Sequence, residues 1–313
     1  MSGVDIGSIL IAVLGGAIRV GTPFLFVSLG ECLTERSGRI NLGLEGTLVM
    51  GAMSGYGISY LTGSPWIGVF AAGLSGTALG FLHALLCQQR RVNDIAVGIA
   101  LMLLGTGLAF YFGKPLIQPT APQLPALSLG GWSTSPAVRS ALDINLLFMI
   151  GIVLALFMAW FFRYTRWGLI VRVVGESAAA ARASGYRVDR VRMLATMAGG
   201  FLAGVGGSFL SLYYPGGWSE GLSSGQGLMA VALVIFARWK PMYCLYASLL
   251  FGGASAIGPS LQAVGVSGGY YLFSAAPYVF TLAIMIAMSS STRQLAGIPA
   301  ELMLKLAKQV EGR

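Results

Sequence analysis

Glu35, Arg36, Arg39 and Glu45 place four charges within eleven positions, with Asn41 among them, and a run of mostly Gly, Ala, Leu, Val and Met follows. Such residues can form ion pairs or hold a polar solute. They do not make a catalytic set. The single histidine, His83, sits in an apolar run beside Leu82 and Leu85 and reads as a helix-packing residue. Cys32, Cys87 and Cys244 lie far apart with no CxxC and read as small buried thiols. No catalytic residue and no metal site is expected. Asn41 and Glu45 fall one to two turns into an apolar segment, where polar groups are costly unless they face other helices or water. Gly43, Gly46, Gly51, Gly55 and Gly57 let backbones approach or a helix unwind around a cavity. The segment therefore reads as the lining of a transport path, with tight packing around a buried Glu45 as the alternative. Arg19 is a second oddity, about ten residues from either end of the first apolar run. It is too central to snorkel and is expected to pair with Glu31 or Glu45, or to face a polar cavity. Pro23 is expected to kink its helix.

The elements that hold these residues follow from composition. The 313-residue chain is 56% hydrophobic and 10% charged, with mean hydropathy +0.76. Average soluble domains carry about 25% charged residues. Apolar runs at about 8–33, 42–62, 66–87, 95–112, 144–162, 193–214, 225–238, 242–263 and 275–289 are nine candidate spans, against a hydrocarbon core of ~30 Å. The fold expected is an all-α polytopic membrane protein. A β-barrel is disfavoured because its strands would alternate in polarity over ~10 residues. Segment 215–224 is too polar to span and is read as a short interfacial or re-entrant helix.

Positive charge sets the orientation. Arg90 and Arg91, seven arginines at 163, 166, 172, 182, 187, 190 and 192, the pair Arg238 and Lys240, and the tail cations Arg293, Lys305, Lys308 and Arg313 all share one side if the N-terminus is outside and the C-terminus inside. Glu35, Arg36 and Arg39 would then sit at the cytoplasmic mouth at little cost. The net charge of +9 is a topology signal and calls for no nucleic acid. The chain reads as one transmembrane domain over 1–313, with a cytoplasmic loop 163–192, a Pro-rich and irregular outer loop 113–143, and an amphipathic tail 290–313.

Within the basic loop, Glu176 to Ala183 reads as a short Ala-rich helix with Glu176 in its first turn. Gly185 follows as a left-handed C-cap. Slim side chains suit entry into a groove on another protein.

At this point the residues resemble a family. Arg19, Thr22, Pro23, Leu29, Gly30, Glu35, Arg36, Gly38, Asn41, Gly43, Leu44, Glu45 and Gly46 are similar to a signature of bacterial ABC-importer permeases for branched-chain amino acids, simple sugars and nucleosides. Gly175, Ala180, Ala181 and Gly185 resemble its cytoplasmic motif. Gly227, Ala230, Ala232, Ile235, Phe236, Trp239 and Pro241 resemble a late one, and Pro277, Tyr278, Thr281 and Leu282 the last. The nearest resemblance is to nucleoside-type, lipoprotein-dependent permeases. Ser177 and Met102 stand where the family has Asn, and Gln226 where a basic residue is common. Sugar permeases tend to read differently at "GRINLGLEG", which ranks sugar below nucleoside.

The resemblance implies a coupling helix formed by Gly175, Glu176, Ser177, Ala180, Ala181, Arg182 and Gly185. The residues expected to line the path are Arg19, Asn41, Glu45, Gly46 and Gln226. The resemblance also implies a cytoplasmic ATPase subunit, a second permease subunit (the same or a related chain), an external solute-binding protein or lipoprotein, membrane lipid around the chain, and a bacterial inner-membrane location. No G-x-x-x-x-G-K-[ST] occurs, and Gly113-Lys114 is followed by Pro115. The chain has no cofactor of its own by this reading, and ATP-Mg belongs to the ATPase. "NLGLEGTLVMGA" and "GQGLMAVALVIFA" are both Gly-broken apolar starts, as in transporters built from inverted repeats. A proton-driven secondary transporter, with Arg19 and Glu45 as a relay, is the alternative of a different class.

Overall fold

The computed structural model describes residues 6–89, 92–133, 135–263 and 298–303, with single positions at 275, 279 and 283. The apolar runs form helices α1 (Ile6–Arg36), α2 (Leu44–Thr62), α3 (Pro65–Leu86), α4 (Asp94–Gly113), α6 (Leu146–Tyr164), α9 (Val188–Leu212), α10 (Gln226–Phe236) and α11 (Pro241–Ala263). Between them lie short α5 (Pro136–Ala141) and the pair α7 (Arg166–Glu176) and α8 (Ala178–Ala183). Six helices (α1, α3, α4, α6, α9 and α11) are long and apolar enough to cross a membrane. Eight of the nine expected runs are thus helical, two of them outside that criterion. The run 275–289, the motif Pro277 to Leu282 and the tail beyond 303 lie outside the described residues, as do Arg90 and Arg91.

Helix α9 is the centre. Two-thirds of its apolar window is buried, against 28% for α4. Its glycines let neighbours touch backbone to backbone. A Cβ at Gly76 of α3 would stand 2.1 Å from the Gly200 carbonyl oxygen, and one at Gly207 would stand 2.0 Å from that of Leu48 in α2. Such separations exclude any side chain, so these contacts select glycine. Helix α1 stays continuous through Pro23.

The Pro-rich loop 113–143 is more ordered than its prolines imply. Strand β1 (Ala126–Ser128) pairs antiparallel with β2 (Asp143–Asn145), Ala126 opposite Asn145. The Tyr56 hydroxyl donates to the Pro119 carbonyl at 2.7 Å and Ser59 to that of Pro122 at 2.8 Å. Proline cannot donate, but its carbonyl still accepts, and these two bonds pin the segment to α2.

The charges after α1 are not solvated. Glu35 and Arg39 are 3% and 7% exposed. The Trp239 indole donates to Glu35, Arg36 Nε donates to the Trp239 carbonyl at 2.9 Å, and Arg39 pairs with buried Asp94 at 2.6 Å. A buried charge persists only with such partners. The three cysteines are buried and form no disulfide, and His83 is buried against the Cys87 sulfur at 3.8 Å. Among the described residues no group of His, Cys, Asp or Glu is arranged to hold a metal.

Candidate translocation site and the Ala-rich helix

After α1 the chain turns back into the bundle before α2 begins. Gly38 takes φ +84° at this turn. The Asn41 N–H donates to Glu31 Oε1 at 2.8 Å, and Asn41 Oδ1 accepts from Gly43 N–H at 2.9 Å. Glu31 lies five residues before the end of α1, ~7.5 Å along its axis. Asn41 therefore lies in a loop that folds back along α1 and not within α2. Glu45 is in the first turn of α2.

Segment 213–225 performs the matching move from the far end of α9. It is built of turns, with Gly216 and Gly217 N–H bonded back to the Leu210 and Ser211 carbonyls at 3.1 and 2.7 Å. The helix expected over 215–224 does not form. Gly216, Gly217, Gly221 and Gly225 all need positive φ, and that breaks helical repetition. The segment ends against Glu45. From there α10 runs for only 11 residues, ~16 Å, about half a hydrocarbon core.

The Glu45 carboxylate joins the two starts. Its Oε1 accepts from the Ser223 hydroxyl at 2.5 Å and from Gly225 N–H at 3.1 Å, and its Oε2 accepts from Gly227 N–H at 2.6 Å. Gly227 cannot be larger, since a Cβ there would lie 2.6 Å from the Glu45 Cα. One anion thus sits between the N-termini of α2 and α10, where both helix dipoles favour it. The first N–H groups of a helix have no partner within it, and Glu45 supplies one from another helix. Gln226, the first residue of α10, has a buried Oε1 with no hydrogen-bond partner among the described residues.

Of the residues expected on a path, Gln226 stands between the two glycines that donate to Glu45, while Asn41 lies in the preceding loop and bonds to Glu31 and Gly43. Gly46 faces α4, its Cα against the Met102 backbone, and acts in helix packing. Arg19 lies beside the Tyr213 phenol, which donates to the Asp143 carbonyl at 3.0 Å. Burial raises the Tyr213 pKa and the nearby guanidinium partly offsets this.

The basic loop is mostly helix. Glu176 closes α7, and Ser177 is the N-cap of a separate α8, its Oγ accepting from Ala180 N–H at 3.2 Å. The single helix expected from Glu176 is therefore two. Gly185 does take φ +82° after the α8 cap. Ala178 and Ala181 are buried against Ile170, Val174 and Val188, while Ala179, Ala180, Arg182 and Ala183 are exposed. Gly175 packs on the Arg36 carbonyl.

Two residues that the sequence did not single out tie this helix pair to the loop before α2. Glu301 Oε1 accepts from Ala178 N–H at 2.8 Å, and its Oε2 meets Arg192 at 3.1 Å. Arg192 Nε in turn donates to the Ser37 carbonyl at 3.1 Å. No local pattern announces Glu301, because its partners lie more than 100 residues away.

A loop folded back along a helix, a half-length helix and an exposed Ala-rich helix on a polytopic frame are features of a transporter's membrane subunit, and the comparisons decide which. A family profile described as branched-chain amino acid transport system / permease component matches residues 9–289. The chain belongs to this family. A provisionally assigned glucose ABC transporter permease of Haloferax volcanii is 36% identical over 245 residues, 76% of this chain and 74% of that one. A nucleoside ABC transporter permease of Lactococcus lactis is 28% identical over 291 residues, covering 87% and 90%. A guanosine ABC transporter permease of Bacillus subtilis is 28% identical over 295 residues, covering 89% and 92%. The permease is thus a multi-pass membrane subunit of the ABC transporter class, and its similar relatives include both nucleoside and glucose proteins.

Proposed function

We propose that this permease forms half of the translocation path of an ATP-driven importer and carries a neutral, polar, ring-shaped solute, a nucleoside or related heterocycle. The observation that carries this reading is the Glu45 junction. Its carboxylate is committed to Ser223, Gly225 and Gly227, so the broken-helix site offers a solute no uncompensated charge. Irregular backbone at membrane depth is tolerated where it lines protein or a cavity, and paired broken helices mark substrate sites in transporters. Gln226 Oε1 supplies an acceptor for a base or hydroxyl donor. Similarity to the nucleoside and guanosine permeases supports that solute class, and the Haloferax relative favours glucose as the second reading.

Membership of the family supports the following assembly. A cytoplasmic ATPase subunit docks on α8 and holds the ATP-Mg. A second permease subunit completes the path, and an external binding protein or lipoprotein delivers the solute. The chain spans the bacterial inner membrane nine times, N-terminus outside and C-terminus inside. Glu301, Arg192 and Ser37 link α8 to the loop before α2, so motion at the ATPase reaches Asn41 and Glu45.

Proteoliposomes holding the complex co-purified with this chain should accumulate radiolabelled guanosine or adenosine when ATP is enclosed with the ATPase. A protonophore should leave uptake unchanged. Accumulation of glucose instead would select the sugar reading, and collapse with the protonophore would select a proton-driven transporter. For topology, a reporter active only in the cytoplasm should be silent when fused after Gly131 and active after Arg187. The reverse pattern would invert the orientation.

A further inference from the structure

At the end of the bundle where α1 finishes, four cations from separate elements surround one cleft of about 410 Å³. They are Arg36 at the end of α1, Arg163 at the end of α6, Arg172 on α7 and Lys240 just before α11. Phe162 and Tyr243 form part of its wall. Among the described residues no carboxylate lines it. Arg36 lies over the Phe162 ring at 5.4 Å and Lys240 over the Tyr243 ring at 5.2 Å, so aromatic faces hold two of the heads in place. Arg172 Nε is buried with no hydrogen-bond partner among the described residues. Four like charges repel one another, and an unpaired buried guanidinium donor is costly. The arrangement calls for an anion.

We propose that this cleft binds the phosphate headgroup of an anionic membrane phospholipid. Position argues for a lipid over a soluble anion. Three of the four cations stand within two residues of the ends of apolar spans, the level at which headgroups lie. Next to the cleft, α6 exposes Val153, Leu156, Phe157 and Trp160, and α11 exposes Tyr243 and Tyr246. Apolar side chains capped by Trp and Tyr form the surface that acyl chains and their interface cover. Basic clefts between helices at that level take anionic headgroups. The bound lipid neutralises the junction of α1, α6, α7 and α11. It therefore stiffens the seat of α7, which carries α8.

The test uses the full-length chain purified in detergent, titrated with dioleoylphosphatidylglycerol, with dioleoylphosphatidylcholine and with inorganic phosphate. Retained mass is read by native mass spectrometry, and the thermal midpoint is read alongside. Phosphatidylglycerol should be retained in preference to phosphatidylcholine and should raise the midpoint. Arg172→Gln and Lys240→Gln should each weaken retention about fivefold, the effect of one basic residue at an anionic surface. Arg190→Gln, exposed elsewhere on α9, should not. Lys240 is itself exposed, so Lys240→Gln keeps the fold if Arg172→Gln does not. Equal retention of the two lipids, or variants that bind like the parent chain, would overturn the proposal. So would phosphate saturating the cleft with no lipid preference. Variants that keep phosphatidylglycerol but lose the co-purifying ATPase would make the cleft a partner's dock instead.

Discussion

Replacing Glu45 with alanine is expected to reduce solute uptake at least tenfold while the chain still inserts and assembles. The substitution strips the acceptor from the Ser223 hydroxyl and from the Gly225 and Gly227 N–H groups. Hydrogen bonds to a charged group contribute about 1.5–3 kcal/mol each, and a buried donor left unpaired costs about 1–3 kcal/mol. Two helix N-termini would also face each other without the anion that stabilises both. The half-helix α10 has only 11 residues and cannot compensate from within. Glu45→Gln should fall between the parent and alanine. Its one amide oxygen can still accept from Ser223 and Gly225, but its NH₂ would be set against the Gly227 N–H, donor against donor. Radiolabelled uptake in proteoliposomes measures the effect, and size-exclusion profiles with the co-purifying subunits control for assembly. Parent-level uptake by both variants would mean that Glu45 only packs.

The second large effect is expected on the exposed face of α8, the proposed coupling helix. Ala180→Trp should abolish uptake and the stimulation of ATP hydrolysis by the loaded binding protein, with little change in the stability of the chain. Ala180 is exposed on α8, and surface substitutions usually stay within about 0.5 kcal/mol. An indole there would instead fill the groove that receives the helix. Ala181 makes a poor probe because it is fully buried in the cluster with Val174 and Val188. A tryptophan at 181 would unseat α8 itself. Gly185→Val gives an independent arm. A Cβ at Gly185 meets nothing within 4 Å, so the cost is the left-handed backbone alone, about 1–2 kcal/mol. It should redirect the chain leaving α8 and lower coupled transport. Both variants keeping stimulated hydrolysis and uptake would exclude α8 as the contact.

Much of this architecture is readable without coordinates, and the misses have specific causes. The positions of α1, α3, α4, α6, α9 and α11 follow from the length of apolar runs, which each segment carries by itself. The left-handed Gly185 follows from the absence of a Cβ after an Ala-rich helix. The split between α7 and α8 was also local, because a Ser followed by alanines is an N-cap pattern. The stronger helix signal of the alanines masks it. Helix α7 could likewise be found from the spacing of Ile170, Val171 and Val174, which places them on one buried face.

Other features have no local sign. Glu35 and Arg39 look like charges at a solvated mouth, since nothing near them in sequence names Trp239 or Asp94 as partners. Arg19 cannot be assigned to Tyr213 from spacing, and Gly46 cannot be assigned to the α4 contact. In this permease the sequence by itself determined where backbone must be helical and apolar, because hydrogen bonds within a helix and transfer out of water are properties of short stretches. It also determined that Asn41 and Glu45 need polar company. Only the tertiary structure decided what that company is. A carboxylate in low dielectric takes whichever N–H groups the packing of distant elements brings within about 3 Å, and here glycine-to-backbone contacts bring the first turn of α10 onto the first turn of α2.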